Sequence, residues 1–196
     1  MDPLKHRVDA SSFAFPLGLA LMMLLLFLFE AFAADVLIYD RHAIRIGECW
    51  RVFSGHFIHR NGYHLALNIA GLILIWNLFG DFLQTHQWLV LTFVIALGQS
   101  LGLFVFYPEI AWFEGISGLL HGLIAAGSLI SFSRSPAISL SVLVALALKL
   151  ASEAWFGSSQ AIQVWLEQPV LVESHWCGAV VGLLAGAVIV IRRYVR

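Results

Sequence analysis

Apolar residues fall in six blocks along the 196-residue chain, at about 13–33, 63–80, 87–107, 117–132, 136–152 and 173–191, and the polar residues lie mostly between them. At about 20 residues per crossing, six spans take up about 120 residues and leave short connections. The pattern predicts an all-α membrane protein: one six-transmembrane-helix bundle, a single domain over residues 1–196. Local chemistry explains several block ends. Tyr107-Pro108-Glu109 closes the third, because proline removes a backbone donor, and Pro136 opens the fifth at a first-turn position where proline is tolerated. A loop with Gly157, Ser158, Ser159 and Pro169 leads into the sixth. The stretch Asp35 to Asn61 holds four arginines and no proline, too charged to cross, and is expected as a long external loop between helices 1 and 2.

The first block raises the question of a signal peptide, since Lys5 and Arg7 precede it and Ala31-Phe32-Ala33 resembles a cleavage site. Phe13 to Phe29 alone exceeds the usual apolar core of about 7–15 residues, so a retained span is expected. With six spans both termini share a side. Lys5, Arg7, Arg134, Arg192, Arg193 and Arg196 all fall on it, which makes it cytoplasmic.

Composition removes other classes. The chain is 60% hydrophobic and 12% charged, with mean hydropathy +0.87, whereas a soluble domain carries about 25% charged residues. Membrane lipids are therefore partners. Eleven Lys and Arg against twelve Asp and Glu, with no basic run outside the termini, argue against nucleic acid. Cys49 and Cys177 form neither a disulfide framework nor a metal spacing.

Polar residues inside spans are costly and face a bundle interior or a wet cavity. Here they gather at one depth, toward the outer ends of the helices: Gly115-Ile116-Ser117-Gly118 opens the fourth span, His175 opens the sixth, and His64 and Asn68 stand at i, i+4 on the second. A nucleophilic serine needs a base and donors aimed at the developing oxyanion. His175 is a candidate base, and His64, Asn68 and helix-terminal N–H groups near Ser117 are candidate donors. Small residues recur every fourth position at Gly118, Gly122 and Ala126, and at Gly178, Gly182 and Gly186, two ridges that let helix backbones approach closely. If they pack together, Ser117 and His175 meet.

Each residue also has a plainer reading. Ser117 alone would cap a helix; His175 would be an interfacial histidine; His64 and Asn68 would be interhelical hydrogen-bond partners. His121, at i+4 from Ser117, ranks second as a base, or lines the cavity or a substrate site. His56 and His59 brace the loop, with His59 and Gly115 candidate borders of the cavity or of a substrate site. Trp50 is an interfacial aromatic and Arg51 a loop-bracing cation. Lys149 and Glu153 neutralise each other at i, i+4, or contact a substrate tail. Two other classes remain: a membrane cofactor protein binding haem through His64, His121 and His175, and a transporter or inactive scaffold. No His-Glu-x-x-His occurs, which disfavours a zinc protease, and no inverted repeat is visible, which disfavours transport.

Taken in order, Trp50-Arg51, His64-x-x-x-Asn68, Gly115-Ile116-Ser117-Gly118 and His175-x-x-Gly178-x-x-x-Gly182 resemble the rhomboid intramembrane serine proteases over nearly the whole chain. His121-Gly122 after the serine, Leu148-Lys149-Leu150 with Glu153, and the compact form resemble the bacterial rhombosortase branch. The resemblance implies a Ser117–His175 dyad with no third acid, an oxyanion hole of His64, Asn68 and the Ser117 amide, no metal and no cofactor. It implies transmembrane protein substrates carrying a C-terminal tail of a Gly-Gly-type motif, a transmembrane helix and a basic end. It also implies a place in the bacterial inner membrane with the active site facing the periplasm.

Overall fold

In the computed structural model, which describes residues 13–167 and 169–195, the chain is a helical bundle. Its elements are α1 (Ala14–Leu28), α2 (Glu30–Leu37), β1 (Tyr39–Asp40), α3 (Arg41–Arg45), α4 (Arg51–Ser54), α5 (Gly62–Phe79), α6 (Thr85–Phe106), β2 (Trp112–Phe113), α7 (Ser117–Ser131), α8 (Pro136–Phe156), α9 (Gln160–Leu166) and α10 (Val172–Tyr194). Among the described residues, α5 with the 3-10 turn after it, α6, α8 and α10 are each long and apolar enough to cross a membrane. The pair α1–α2 makes a fifth candidate. α7 has only 15 residues, about 22 Å of helix. It is nearly all buried, packed against α5, α6, α8 and α10, so neighbouring helices rather than lipid surround it.

The first span differs from the continuous helix expected over 13–33. The chain breaks at Phe29, and α1 and α2 meet at 105°. Polar contacts with the following loop account for the turn. Glu30 lies 3.5 Å from Arg60, Arg51 donates to the carbonyls of Ile38 and Asp35 at 3.0 and 2.8 Å, and the Trp50 indole donates to Val36 at 2.9 Å. α1 itself belongs to the core: Phe15, Leu19 and Met23 are buried, with Phe15 against the rings of Trp76 and Trp88.

The segment 35–61 is folded. Arg41 donates to four carbonyls, Leu103 and Phe104 near the end of α6 and Tyr107 and Ile110 beyond it, at 2.7–2.9 Å. Leu103 O also accepts from the Tyr107 N–H at 3.2 Å, but carbonyls of a last helical turn run short of intrahelical donors, and a guanidinium's forked donors satisfy several at once. β1 pairs antiparallel with β2, Tyr39 opposite Phe113 with their rings stacked at 4.5 Å. Through this small sheet the loop fixes the segment that leads into Ser117.

The two small-residue ridges pack face to face. A Cβ added at Gly178 would land on the carbonyl oxygen of Gly118, and one at Gly182 on that of Gly122. At the far end Arg193 donates to the Phe82 carbonyl at 2.8 Å and the Arg134 guanidinium sits 5.7 Å from the Phe82 ring centre. These arginines therefore gather at the end of the bundle opposite Ser117. Lys5, Arg7 and Arg196, assigned to the same side, lie outside the described residues.

Candidate active site

Ser117 is the first residue of α7, while Ile116 holds the N-cap position, so the serine hydroxyl does not cap the helix. Its Oγ lies 3.1 Å from His175 Nε2. Ridge packing explains this meeting of residues 58 positions apart: α10 crosses α7 at backbone contact, and each polar residue sits at the first turn of its helix. Both line one cavity of about 660 Å³ together with His64, Asn68 and His121.

His64 and Asn68 come from α5. Gly115 has φ +97°, a left-handed conformation that favours glycine, and a Cβ there would fall 2.6 Å from His64 Nε2. Glycine thus permits the backbone ahead of Ser117 to rest on the His64 imidazole. Gly115 itself donates to the Gly55 carbonyl at 3.1 Å, and like His59 it is not part of the cavity wall. His59 stands behind Asn68: its Nε2 accepts from Asn68 Nδ2 at 2.9 Å while its Nδ1 donates to the Phe57 carbonyl at 3.2 Å. That arrangement requires a neutral ring, and burial pushes His59 down to about 3. Burial likewise pushes His56, bonded to Ala96 O and Ser100 Oγ, down to about 4.

His121 does not reach the serine hydroxyl. Its Nδ1 donates to the Ser117 carbonyl at 2.7 Å, and its ring stacks on His175 with centres 4.0 Å apart and planes at 14°. Stacked rings direct their lone pairs side by side, which leaves no room for a macrocycle between them and removes this pair as axial haem ligands. His121, Glu153 and His175 also bring possible metal-ligand atoms within 4.8 Å of one another. In this structure both nitrogens of His175, Nδ1 of His121 and, through the Lys149 ammonium, one Glu153 oxygen are taken up in hydrogen bonds.

Glu153 is what sequence reasoning missed. Its Oε2 lies 2.9 Å from His175 Nδ1 and its Oε1 accepts from Lys149 at 2.6 Å. The resemblance implied no acid behind His175; the structure places one there. Pairing with Lys149 had made Glu153 look spent, but a carboxylate has two oxygens and the ammonium takes one. The available signal was a carboxylate near the C-terminal end of α8, beside the first turn of α10 that carries His175.

Several membrane-length apolar helices make this an integral membrane protein, and within the bundle a partly buried serine–histidine contact stands at the wall of a cavity. The Rhomboid domain model matches residues 46–192, three-quarters of the chain. The chain belongs to the rhomboid family, whose members are intramembrane serine proteases. A search among curated proteins gives no significant match.

Proposed function

We propose that the protein is an active intramembrane serine protease with Ser117 as nucleophile and His175 as general base. The observation that carries this is the 3.1 Å approach of Ser117 Oγ to His175 Nε2 at the cavity wall. Ser117 Oγ attacks the scissile carbonyl carbon as its proton passes to His175 Nε2, giving an oxyanion held by the Ser117 N–H, His64 and Asn68. His175 returns the proton to the leaving amine as the C–N bond breaks, and water releases the acyl group by the same route. One N–H of the Asn68 amide is held by His59, so the other has a set direction. No cofactor takes part.

Six spans in one domain, with both termini cytoplasmic in the bacterial inner membrane, put the cavity on the periplasmic side. In support, Arg134 and Arg193 gather at the end opposite Ser117. α7 is about 8 Å shorter than the hydrocarbon core, which recesses its first residue into the membrane while its other end stays level with those arginines. The substrates are membrane-anchored proteins, and the rhombosortase-like residues point to a C-terminal Gly-Gly-type sorting tail.

Labelling of the detergent-purified protein with a fluorophosphonate tests the chemistry: Ser117 Oγ bonds to phosphorus, fluoride leaves, and the hydroxyl proton goes to His175. Wild type is expected to label and Ser117→Ala not to. Label retained in Ser117→Ala, or absent from folded wild type, refutes the reading. Co-expression with an exported protein ending in a Gly-Gly motif, a transmembrane helix and a basic end tests the substrate. A tail that persists in wild type as it does in Ser117→Ala removes that class.

A further inference from the structure

Serine–histidine proteolysis leaves Glu153 and Lys149 unused, yet both line the cavity and their contacts are directional. A carboxylate only accepts, so at 2.9 Å His175 Nδ1–H donates to Glu153 Oε2, which holds the ring proton on Nδ1 and leaves Nε2 as a bare acceptor facing Ser117. That is the tautomer a base needs. Lys149 only donates, and at 2.6 Å it ties down the other oxygen, Oε1. Glu153 is mostly shielded, with its side chain 13% exposed, while Lys149 is 46% exposed at the cavity edge. The neighbouring ring of His121 closes one face of the His175 imidazole and limits its rotation.

We propose that Glu153 is a positioning residue that completes a serine–histidine–acid triad by fixing the His175 tautomer, and that Lys149 dictates which of its oxygens faces His175. This rests on Ser117 being the nucleophile. It has a consequence that simple packing does not share. In Glu153→Gln the ammonium of Lys149 still demands an oxygen, so it draws the amide carbonyl and turns the NH₂ group toward His175 Nδ1. Nδ1 must then accept, the ring proton moves to Nε2, and the ring can no longer receive the serine proton. An amide in place of the acid of a soluble serine-protease triad costs about 10⁴ in kcat for this reason.

The test measures fluorophosphonate labelling kinetics of purified Glu153→Gln, Glu153→Ala, Lys149→Met and the Glu153→Gln/Lys149→Met double variant, alongside Ser117→Ala. Glu153→Gln is expected to label about 10²-fold or more slowly, through the inactivation rate constant, with the half-saturating probe concentration within about threefold of wild type. Glu153→Ala offers no misdirected donor and is expected to lose less than Glu153→Gln. Lys149→Met alone slows labelling severalfold, and added to Glu153→Gln it frees the amide to flip and recovers at least tenfold. ¹⁵N NMR of labelled histidine is expected to find the His175 proton on Nδ1 in wild type, on Nε2 in Glu153→Gln and back on Nδ1 in the double variant.

Glu153→Gln labelling within threefold of wild type, or Glu153→Ala slower than Glu153→Gln, overturns the positioning role. A double variant no faster than Glu153→Gln overturns the part given to Lys149. If Glu153→Gln does not survive purification, Glu153→Asp must label at least tenfold faster than Glu153→Ala, or the proposal fails. Failure of the serine reading is distinct, since it appears as label retained in Ser117→Ala.

Discussion

Gly122→Ala is the most direct test of whether the ridge contact sets the site. The added Cβ would lie 2.6 Å from the Gly178 carbonyl oxygen and also press on Ile95. Contacts of this kind become ordinary at 3.4 Å, so α7 and α10 must part by about 0.8 Å if the backbone gives as a unit. Carried to the first turns of the helices, that moves Ser117 Oγ and His175 Nε2 from 3.1 Å to about 3.9 Å, beyond hydrogen-bond reach. Overpacking of this size costs about 1–3 kcal/mol. A 1 Å misplacement costs about 10²-fold in rate, so labelling is expected to slow by roughly 10- to 100-fold. Gly186→Ala is the control: its Cβ meets Ala126 Cα at 3.0 Å and Ala126 O at 3.2 Å, which needs only a few tenths of an ångström. It stands 11 residues from His175, about 16 Å along α10. Labelling rates and detergent thermal midpoints of both variants decide the matter. Wild-type labelling in Gly122→Ala, or equal losses in the two, would refute the reasoning.

Three further expectations are checkable. His64→Ala and Asn68→Ala should each lower the cleavage rate by about 10²–10³-fold, as loss of one oxyanion donor does, with little change in half-saturation, whereas His59→Phe, which frees the Asn68 amide, should lose less; equal turnover in all would remove the oxyanion assignment. Arg41→Met leaves four carbonyls without their guanidinium and should lower stability by about 3 kcal/mol or more, with Arg41→Lys intermediate because an ammonium cannot match the fork; an unchanged thermal midpoint would contradict this. His56 and His59 have folded-state values below the ordinary 6.5, at about 4 and about 3, so the unfolded chain binds more protons between those limits and stability falls as pH drops below about 6.5. At one unit below, the pair together removes up to about 3 kcal/mol, and the thermal midpoint at pH 5.5 should lie clearly below that at pH 7.5; a flat profile would show the rings are not buried neutral.

Much of this protein was legible in its sequence, because burying an ionisable group in lipid is costly and a chain that is only 12% charged has few to place. The apolar blocks marked the helices, and glycine periodicity indicated which two would touch, since only small residues allow backbone contact. The four residues Ser117, His175, His64 and Asn68 stood out for the same reason. Side-chain direction and the folding of the polar segment were not legible. Whether Phe29 bends the first span depended on Glu30 and residues 35–38 finding Arg60, Arg51 and Trp50, contacts between segments that no local pattern encodes. His59 proved to be a support for Asn68, and His121 a ring stacked on His175, because rotamers and neighbours decide where a nitrogen points. Glu153 was hidden by its own neighbour: i, i+4 spacing reveals a pair with Lys149, but only the packing of α8 beside α10 shows that the second carboxylate oxygen faces His175.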